Sequence, residues 1–377
     1  MTKIYFYTSG CRVNQYETQL LMESICGSGR GDGSAGVGAR SKNYERVASH
    51  TDADVCVINS CTVTHNADAD CRQIVRRILR ENPSARVIVT GCYAVSAGDE
   101  IRRLSPRVEV YPEKDDVSGQ LGDCAPGQPE QPGQPGRQDG RQDGQQDCRQ
   151  GDAITHFAGH SKAFVKIQDG CDASCSYCIV PYVRPKLWSK PQGDVLKEIS
   201  GLVRNGYKEV VLCGIRLGKY SNNGNGLCGL LREALLNTPV SISLSSIELN
   251  EVTPELIHLM GNNPGIKRHL HIPLQSADDR VLKRMNRPYT AARFQEKISE
   301  LRLKIPGIKI TSDVIVGFPG ETQKSFDNTR RFLRENKFDG LHVFRYSPRR
   351  GTSAIRLDGQ VPSSEIKKRA NVINQHD

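Results

Sequence analysis

The sequence predicts an α/β protein in two parts, an open parallel α/β domain over residues 1–116 and a second α/β domain over residues 152–377. Three observations carry this. Strand-like and helix-like segments alternate through the first part, a stretch rich in Pro, Gly and Gln interrupts them at residues 117–151, and the alternation then resumes about six times. In the first part, strands are expected at residues 3–8, 55–59 and 86–90, and helices at 15–26, 66–81 and 95–104. The helix over 66–81 is the clearest, with Ile74, Val75, Ile78 and Leu79 at helical spacing, Thr64 as a cap and Pro83 just past its end. Residues 27–42 read as a glycine-rich surface insert, and 117–151, with repeated Gln-Pro-Gly and Arg-Gln-Asp-Gly units, as a disordered linker that marks the domain boundary. Lengthening such a connection costs only about 0.6 kcal/mol per doubling. Beyond it, strands are expected at 163–168, 209–213, 241–246, 268–272, 308–316 and 340–346. Helices are expected at 193–205, 253–261, 278–285, 291–303 and 322–335, with Thr253 as a cap and Pro254 at the first helical position. Six β/α units are too few to close an eight-stranded barrel.

The chain has 377 residues, enough for two separate cores, and 13 cysteines. In a short secreted protein that many would suggest a disulfide framework. Here the length, the absence of any apolar run near 20 residues and the lack of a signal-peptide pattern at the N-terminus point to the cytoplasm, where thiols stay reduced. Lys and Arg total 52 against 42 Asp and Glu, a formal charge of +10, which suits a polyanionic partner such as RNA. Basic clusters stand at Arg72/Arg76/Arg77/Arg80, Arg102/Arg103, Arg345/Arg349/Arg350 and Lys367/Lys368/Arg369. Each reads equally as an ordinary solvated face.

Cys171, Cys175 and Cys178 form a C-x3-C-x2-C triplet directly after the predicted strand at 163–168. Three thiolates are one too few for a closed tetrahedral site, which implies an iron–sulfur cluster with one iron open to an outside ligand. The alternative is a zinc site completed by His156 or His160. Cys11, Cys61 and Cys92 each follow a predicted strand of the first domain, so three α/β units present a thiol at one sheet edge, where open α/β sheets place their ligands. Cys56 competes with Cys61 but lies within its strand. Cys26, Cys71, Cys213 and Cys228 read as structural thiols, and Cys124 and Cys148 fall in the linker.

The triplet resembles that of the radical S-adenosylmethionine (SAM) superfamily. The segments around Cys11, Cys61 and Cys92, together with His271-Ile-Pro-Leu-Gln-Ser276, Gly317-Phe-Pro-Gly-Glu321 and Tyr346-Ser-Pro348, resemble the methylthiotransferases, and within them the tRNA N6-threonylcarbamoyladenosine branch. The resemblance implies a Rossmann-like first domain and a partial (β/α)6 barrel. It implies two 4Fe–4S clusters, one on Cys171, Cys175 and Cys178 that binds SAM, and an auxiliary one on Cys11, Cys61 and Cys92 that carries the transferred sulfur. The implied reaction adds a methylthio group to C2 of N6-threonylcarbamoyladenosine, 3′-adjacent to the tRNA anticodon, using a 5′-deoxyadenosyl radical and a reducing electron donor. Gly214, Gly317 and Gln275 are expected at the SAM site, with Ser245, Ser246, Glu248 and Ser276 also at the barrel mouth and Tyr177 shielding the cluster or touching adenine. No membrane association is expected.

Pro185 and Trp188 stand where the family has Gly and Arg, so the segment after Cys178 is expected to follow a different path, and Ala277 also replaces a Gly. Family members continue into a small RNA-gripping β-barrel, TRAM. This sequence stops at Asp377 before one, so the expectation is an enzyme lacking TRAM or a fragment of a longer chain. Rival readings are an isopentenyladenosine-tRNA methylthiotransferase, a ribosomal-protein aspartate methylthiotransferase, and a non-enzymatic nucleic-acid-binding protein with iron–sulfur or zinc sites.

Overall fold

A computed structural model describes residues 1–27, 43–121 and 153–374. The glycine-rich insert and most of the expected linker, with Cys124 and Cys148, lie outside the described residues.

The first part is β1 (Thr2–Thr8), α1 (Arg12–Cys26), β2 (Tyr44–Arg46), β3 (Val55–Ser60), α2 (His65–Glu81), β4 (Arg86–Gly91), α3 (Cys92–Arg102), β5 (Val108–Val110) and α4 (Lys114–Leu121). Its sheet runs β2-β1-β3-β4-β5, with every pair parallel. Central β3 is buried along its whole length, which explains its continuous Val-Cys-Val-Ile run. One face packs on Val75 and Ile78 of α2 and Ile101 of α3, the other on Leu21 and Ile25 of α1 and Val117 and Leu121 of α4. The strand order reverses between β1 and β3, and such sheets bind ligands outside the carboxyl ends of the strands at that reversal. The Thr64 hydroxyl accepts from Ala67 N and caps α2, a contact worth about 1 kcal/mol. Several boundaries change, among them the start of α1, at Arg12 rather than at residue 15. α3 begins at Cys92 rather than at residue 95, and α4 occupies residues expected to be linker, because Val117 and Leu121 bury their side chains.

The second part is β6 (Ala163–Asp169), α5 (Val180–Val183), β7 (Trp188–Ser189), α6 (Gln192–Arg204), β8 (Glu209–Gly214), β9 (Ser221–Asn222), β10 (Asn225–Gly226), α7 (Leu227–Asn237), β11 (Ser241–Leu244), α8 (Pro254–Asn262), β12 (His269–His271), α9 (Asp279–Arg284), α10 (Ala291–Lys304), β13 (Lys309–Val316), α11 (Gln323–Asn336), β14 (Gly340–Arg345) and α12 (Ser363–Asn374). β6, β8 and β11 are parallel neighbours, as are β12, β13 and β14. The two groups join where Ile242 N donates to Gly265 O and Lys267 N to Ile242 O. Six strands thus curl into a partial barrel, wrapped by helices around one large apolar core. The sequence reading missed α7, whose Leu227, Cys228, Leu230, Leu231 and Ala234 are all buried. It also missed the β9–β10 hairpin, turned by Asn223 and Gly224 at positive φ. α1 belongs to both parts: Ile25 lies in the first sheet's core, while Tyr16 lies in the barrel core and donates to Glu198 Oε1 at 3.0 Å.

Candidate active site

β6 ends in a loop that only glycine permits. Gly170 has φ +79°, and a Cβ there would collide with the Lys186 carbonyl. Gln168 organises the turn: its Nε2 donates to Gly170 O at 2.9 Å, and its Oε1 accepts from Arg216 N at 2.6 Å. The loop is then pinned across the barrel mouth. Cys171 N donates to Arg184 O at 3.2 Å, Ser176 N to Met285 O at 3.0 Å, and Ala354 N to Ser176 O at 2.8 Å. Cys171, Cys175 and Cys178 are half-buried, and each lies within electrostatic reach of the other two. Burial pushes the Cys178 thiol up to about 12, and the neighbouring thiols add to the shift. Arg287 donates from Nη1 to Cys175 Sγ at 3.3 Å, and burial raises the Cys171 thiol too, with the Arg216 charge working against it. Arg287 is itself buried, paired with Glu248 and bonded to Tyr289 Oη.

The second set sits at the reversal of the first sheet. Cys11 is the N-cap of α1, Cys61 follows β3, and Cys92 opens α3, so two of the three thiols stand at helix N-termini, which favour negative charge. Gly10, at φ +111°, brings the loops together, for a Cβ there would lie 2.5 Å from Cys61 Cβ. Asn14, fully buried, donates to both Ser9 O and Ser60 O at 3.1 Å and ties the ends of β1 and β3. Burial raises the Cys11 thiol, with the nearby Cys92 adding to the shift, and burial pushes Cys61 up to about 11, with Cys11 and Cys92 adding to it. Cys56 and Cys71 lie in the apolar core, as expected for structural thiols. Cys213 is buried in β8 yet within electrostatic reach of Cys11.

Neither set suits a single zinc ion. Thiolates about 2.3 Å from a tetrahedral zinc lie under about 4 Å from one another. Among the described residues no three cysteine sulfurs come within 4.8 Å of one another. His156 is bonded to Tyr207 and His160 packs on Phe157 and Phe164, so neither completes the triplet. Three spaced thiols with adjacent arginines fit an anionic iron–sulfur cluster with one open iron.

Arg184 joins the two sets. Its carbonyl holds Cys171 N, while its Nε donates to Cys92 Sγ at 3.2 Å. Its other nitrogens reach Glu17 at 2.8 and 2.9 Å, Asp169 at 2.8 and 2.9 Å and Asn14 Oδ1 at 3.0 Å. Lys166 bridges Glu17 and Asp169, and Lys114 also pairs with Glu17. Burial works to raise the Glu17 carboxyl, but Lys114, Lys166 and Arg184 outweigh it and hold the group well below the usual range. The folded pKa is depressed, so this stabilisation is present above the unfolded value, about 4.3, and is lost as pH falls below it. Glu17→Gln is expected to flatten the acid side of a stability–pH profile measured by urea melts. A second clamp is Arg349, buried, which pairs with Asp68 at 2.7 Å and bonds Thr62 beside Cys61. Arg349 and Arg369, the latter paired with Glu321 and Glu365, are thus internal ion pairs and not part of solvated basic faces.

The segment after Cys178 forms α5 and then the short strand β7. β7 pairs antiparallel with β6, Asp169 opposite Trp188, and Lys166 Nζ sits 5.7 Å from the Trp188 ring centroid. Ala277 needs no glycine, since its φ is not positive and its N donates to Thr329 Oγ1. At the expected SAM positions, Gln275 adopts φ +65° at the mouth, an uncommon conformation for its type. The space beside Gly214 is filled by Gln168, and that beside Gly317 by Ile366 of α12. Tyr177 packs edge-on against Phe318, centroids 6.4 Å apart.

The model of the radical SAM superfamily matches residues 165–333, and that of uncharacterized protein family UPF0004 matches residues 3–111. The chain is 38% identical to threonylcarbamoyladenosine tRNA methylthiotransferase MtaB of Bacillus subtilis over 98% of this chain and 79% of that protein. The chain belongs to the methylthiotransferase family. It is 32% identical to the Thermotoga maritima MtaB over 100% of this chain and 82% of that protein, and to the Thermodesulfovibrio yellowstonii tRNA-2-methylthio-N6-dimethylallyladenosine synthase over 97% and 80%. Among solved structures, the radical SAM methyltransferase TsrM of Kitasatospora setae shares the fold, with TM-score 0.59 and 12% identity over 91% of this chain and 73% of that one. The methylthiotransferase is therefore a radical SAM enzyme, and its cofactors are SAM and two 4Fe–4S clusters. Among the described residues, no helix is long and apolar enough to cross a membrane. Sequence reading missed Arg184, Glu17, Arg216 and Arg287 as site residues. The available signal was Arg184 lying six residues past Cys178 in an otherwise apolar segment.

Proposed function

We propose that this methylthiotransferase adds a methylthio group to C2 of N6-threonylcarbamoyladenosine next to the tRNA anticodon, with one 4Fe–4S cluster on Cys171, Cys175 and Cys178 and the other on Cys11, Cys61 and Cys92. The observation that carries the reading is the pair of three-cysteine sets joined through Arg184. The relatives' names supply the substrate. Bound there, the clusters and SAM supply one-electron SAM cleavage, hydrogen abstraction from C2 and a methylated sulfur, with electrons from a reducing partner. The chain's own part is placement. Gln168 and Arg184 fix the loop that begins at Cys171, while Asn14 and Gly10 close the loops beneath Cys11 and Cys61. Arg287, Arg216 and Arg184 set positive charge against the sulfurs, and Tyr177, Phe318 and Tyr346 wall the triplet loop from water. Gln275, at the barrel mouth, borders the place for SAM, whereas Gly214 and Gly317 turn their open sides to Gln168 and Ile366.

Nucleoside mass spectrometry of tRNA tests the reading in a host that lacks its own threonylcarbamoyl-branch enzyme. Expressing this chain is expected to produce the 2-methylthio form of N6-threonylcarbamoyladenosine. Cluster-loaded protein with no such product, or with the isopentenyl product instead, overturns it. Arg102, Arg103 and Arg350 border a groove of about 670 Å³ where α3 meets the loop after β14. The double change Arg103→Glu, Arg350→Glu is expected to weaken tRNA binding alike for all sequences. The slope of log affinity against log salt should fall by about 1 for each lost phosphate contact. An unchanged slope excludes this groove.

A further inference from the structure

On one wall of the barrel, three side chains that belong to neither cysteine set converge. In β13, Ile310, Val314 and Val316 point into the apolar core, so alternation turns Thr311 and Asp313 to the opposite face. The register sets Asp313 across from His342 on β14, and Thr311 across from His271 on β12. His271 Nε2 lies 3.1 Å and His342 Nδ1 3.0 Å from the same oxygen, Asp313 Oδ1, with the imidazole centroids 5.3 Å apart. We propose that His271, Asp313 and His342 form a binding site for one divalent transition-metal ion of the zinc type, separate from both clusters.

Three facts support this. Donor atoms about 3 Å apart are what bonds of about 2.0–2.1 Å from imidazole and carboxylate to a zinc-type ion produce. Two histidines and one carboxylate form a facial ligand set that leaves positions open, and imidazole favours zinc and its neighbours. The ring of His271 is also braced from behind: Thr311 Oγ1 lies 2.9 Å from Nδ1, so an Nδ1–H donated to Thr311 leaves the Nε2 lone pair aimed at Asp313. The hydroxyl then donates its own proton to His269 Nε2, 3.1 Å away. All three ligands stand on adjacent parallel strands, so the site is preorganised. His271 is nearly buried, whereas the His342 side chain is 68% exposed, which turns the open positions toward solvent for an oxygen ligand. The neighbouring backbone reaches the barrel mouth, since Asp313 O accepts from Gln275 N at 2.8 Å.

The test is anaerobic equilibrium dialysis of the cluster-loaded protein against zinc, followed by elemental analysis of zinc and iron. The wild type is expected to retain one zinc per chain beyond its iron. His342→Ala and Asp313→Asn are expected to lose that zinc with iron unchanged, and Thr311→Val to bind it about 10–100-fold more weakly. His342 is exposed, so its replacement leaves the fold intact even where Asp313→Asn does not. A wild type that takes up no zinc beyond its iron overturns the proposal, as does zinc uptake that His342→Ala leaves unchanged. A Thr311→Val protein that binds zinc as tightly as wild type removes the bracing role assigned to the hydroxyl.

Discussion

Arg184→Met is expected to cut methylthio transfer far more than SAM cleavage. The knot around this residue holds two carboxylates, Glu17 and Asp169, and three cations, Lys114, Lys166 and Arg184. The surplus positive charge sits on the guanidinium whose Nε faces Cys92 Sγ. Methionine leaves the carboxylates balanced by the lysines but removes that charge from the auxiliary set. A cluster there becomes harder to reduce, so its midpoint should move to more negative potential in an EPR-monitored titration. The lost charge-assisted hydrogen bonds cost about 1.5–3 kcal/mol each when unreplaced, which thermal melts of the loaded protein will register. Arg184→Lys separates charge from geometry, because an ammonium keeps the charge but cannot span Glu17, Asp169, Asn14 and Cys92 from one planar group. Its potential should stay near wild type while its stability falls. If Arg184→Met leaves the auxiliary midpoint unchanged, the guanidinium is a structural tie only.

The second large effect concerns the division of labour between the cysteine sets. Cys175→Ala is expected to abolish SAM cleavage and to lower bound iron by about four of about eight atoms. Cys61→Ala should lose a similar amount of iron, keep part of the SAM cleavage and form no methylthio product. Parallel assays of 5′-deoxyadenosine and modified nucleoside separate the two. Equal loss of cleavage in both variants, with the Cys171/Cys175/Cys178 cluster shown intact in Cys61→Ala, would contradict separate roles.

What the sequence disclosed about this site depended on how local each signal is. The triplet at Cys171, Cys175 and Cys178 is legible because its ligands lie within eight residues. Cys11, Cys61 and Cys92 are legible because a parallel sheet returns every strand to the same edge, so a thiol after each strand needs no further information. Arg184 is only half legible: its place six residues past Cys178 marks it, but its role does not show. Its partners Glu17 and Cys92 lie 167 and 92 positions away in the chain, and only the docked domains bring them together. The same holds for Arg349, read with its neighbours as part of a basic patch until Asp68, 281 positions away, is seen to neutralise it. α7 escaped notice for a different reason. Its buried positions do follow helical spacing, but Leu236, 81% exposed, stands on the same face as Arg232, Glu233 and Asn237, so the apolar residues read as a near-continuous run and not as a stripe.

Because α1 starts beside Cys11 and buries Tyr16 in one core and Ile25 in the other, the covalent connection between Leu121 and Ala153 is not what keeps the halves together. Cutting the chain there should yield two pieces that elute as one particle, and two pieces expressed separately should find each other. The spacing between the Cys11, Cys61 and Cys92 set and the Cys171, Cys175 and Cys178 set is therefore a property of the folded interface and not of the connecting chain.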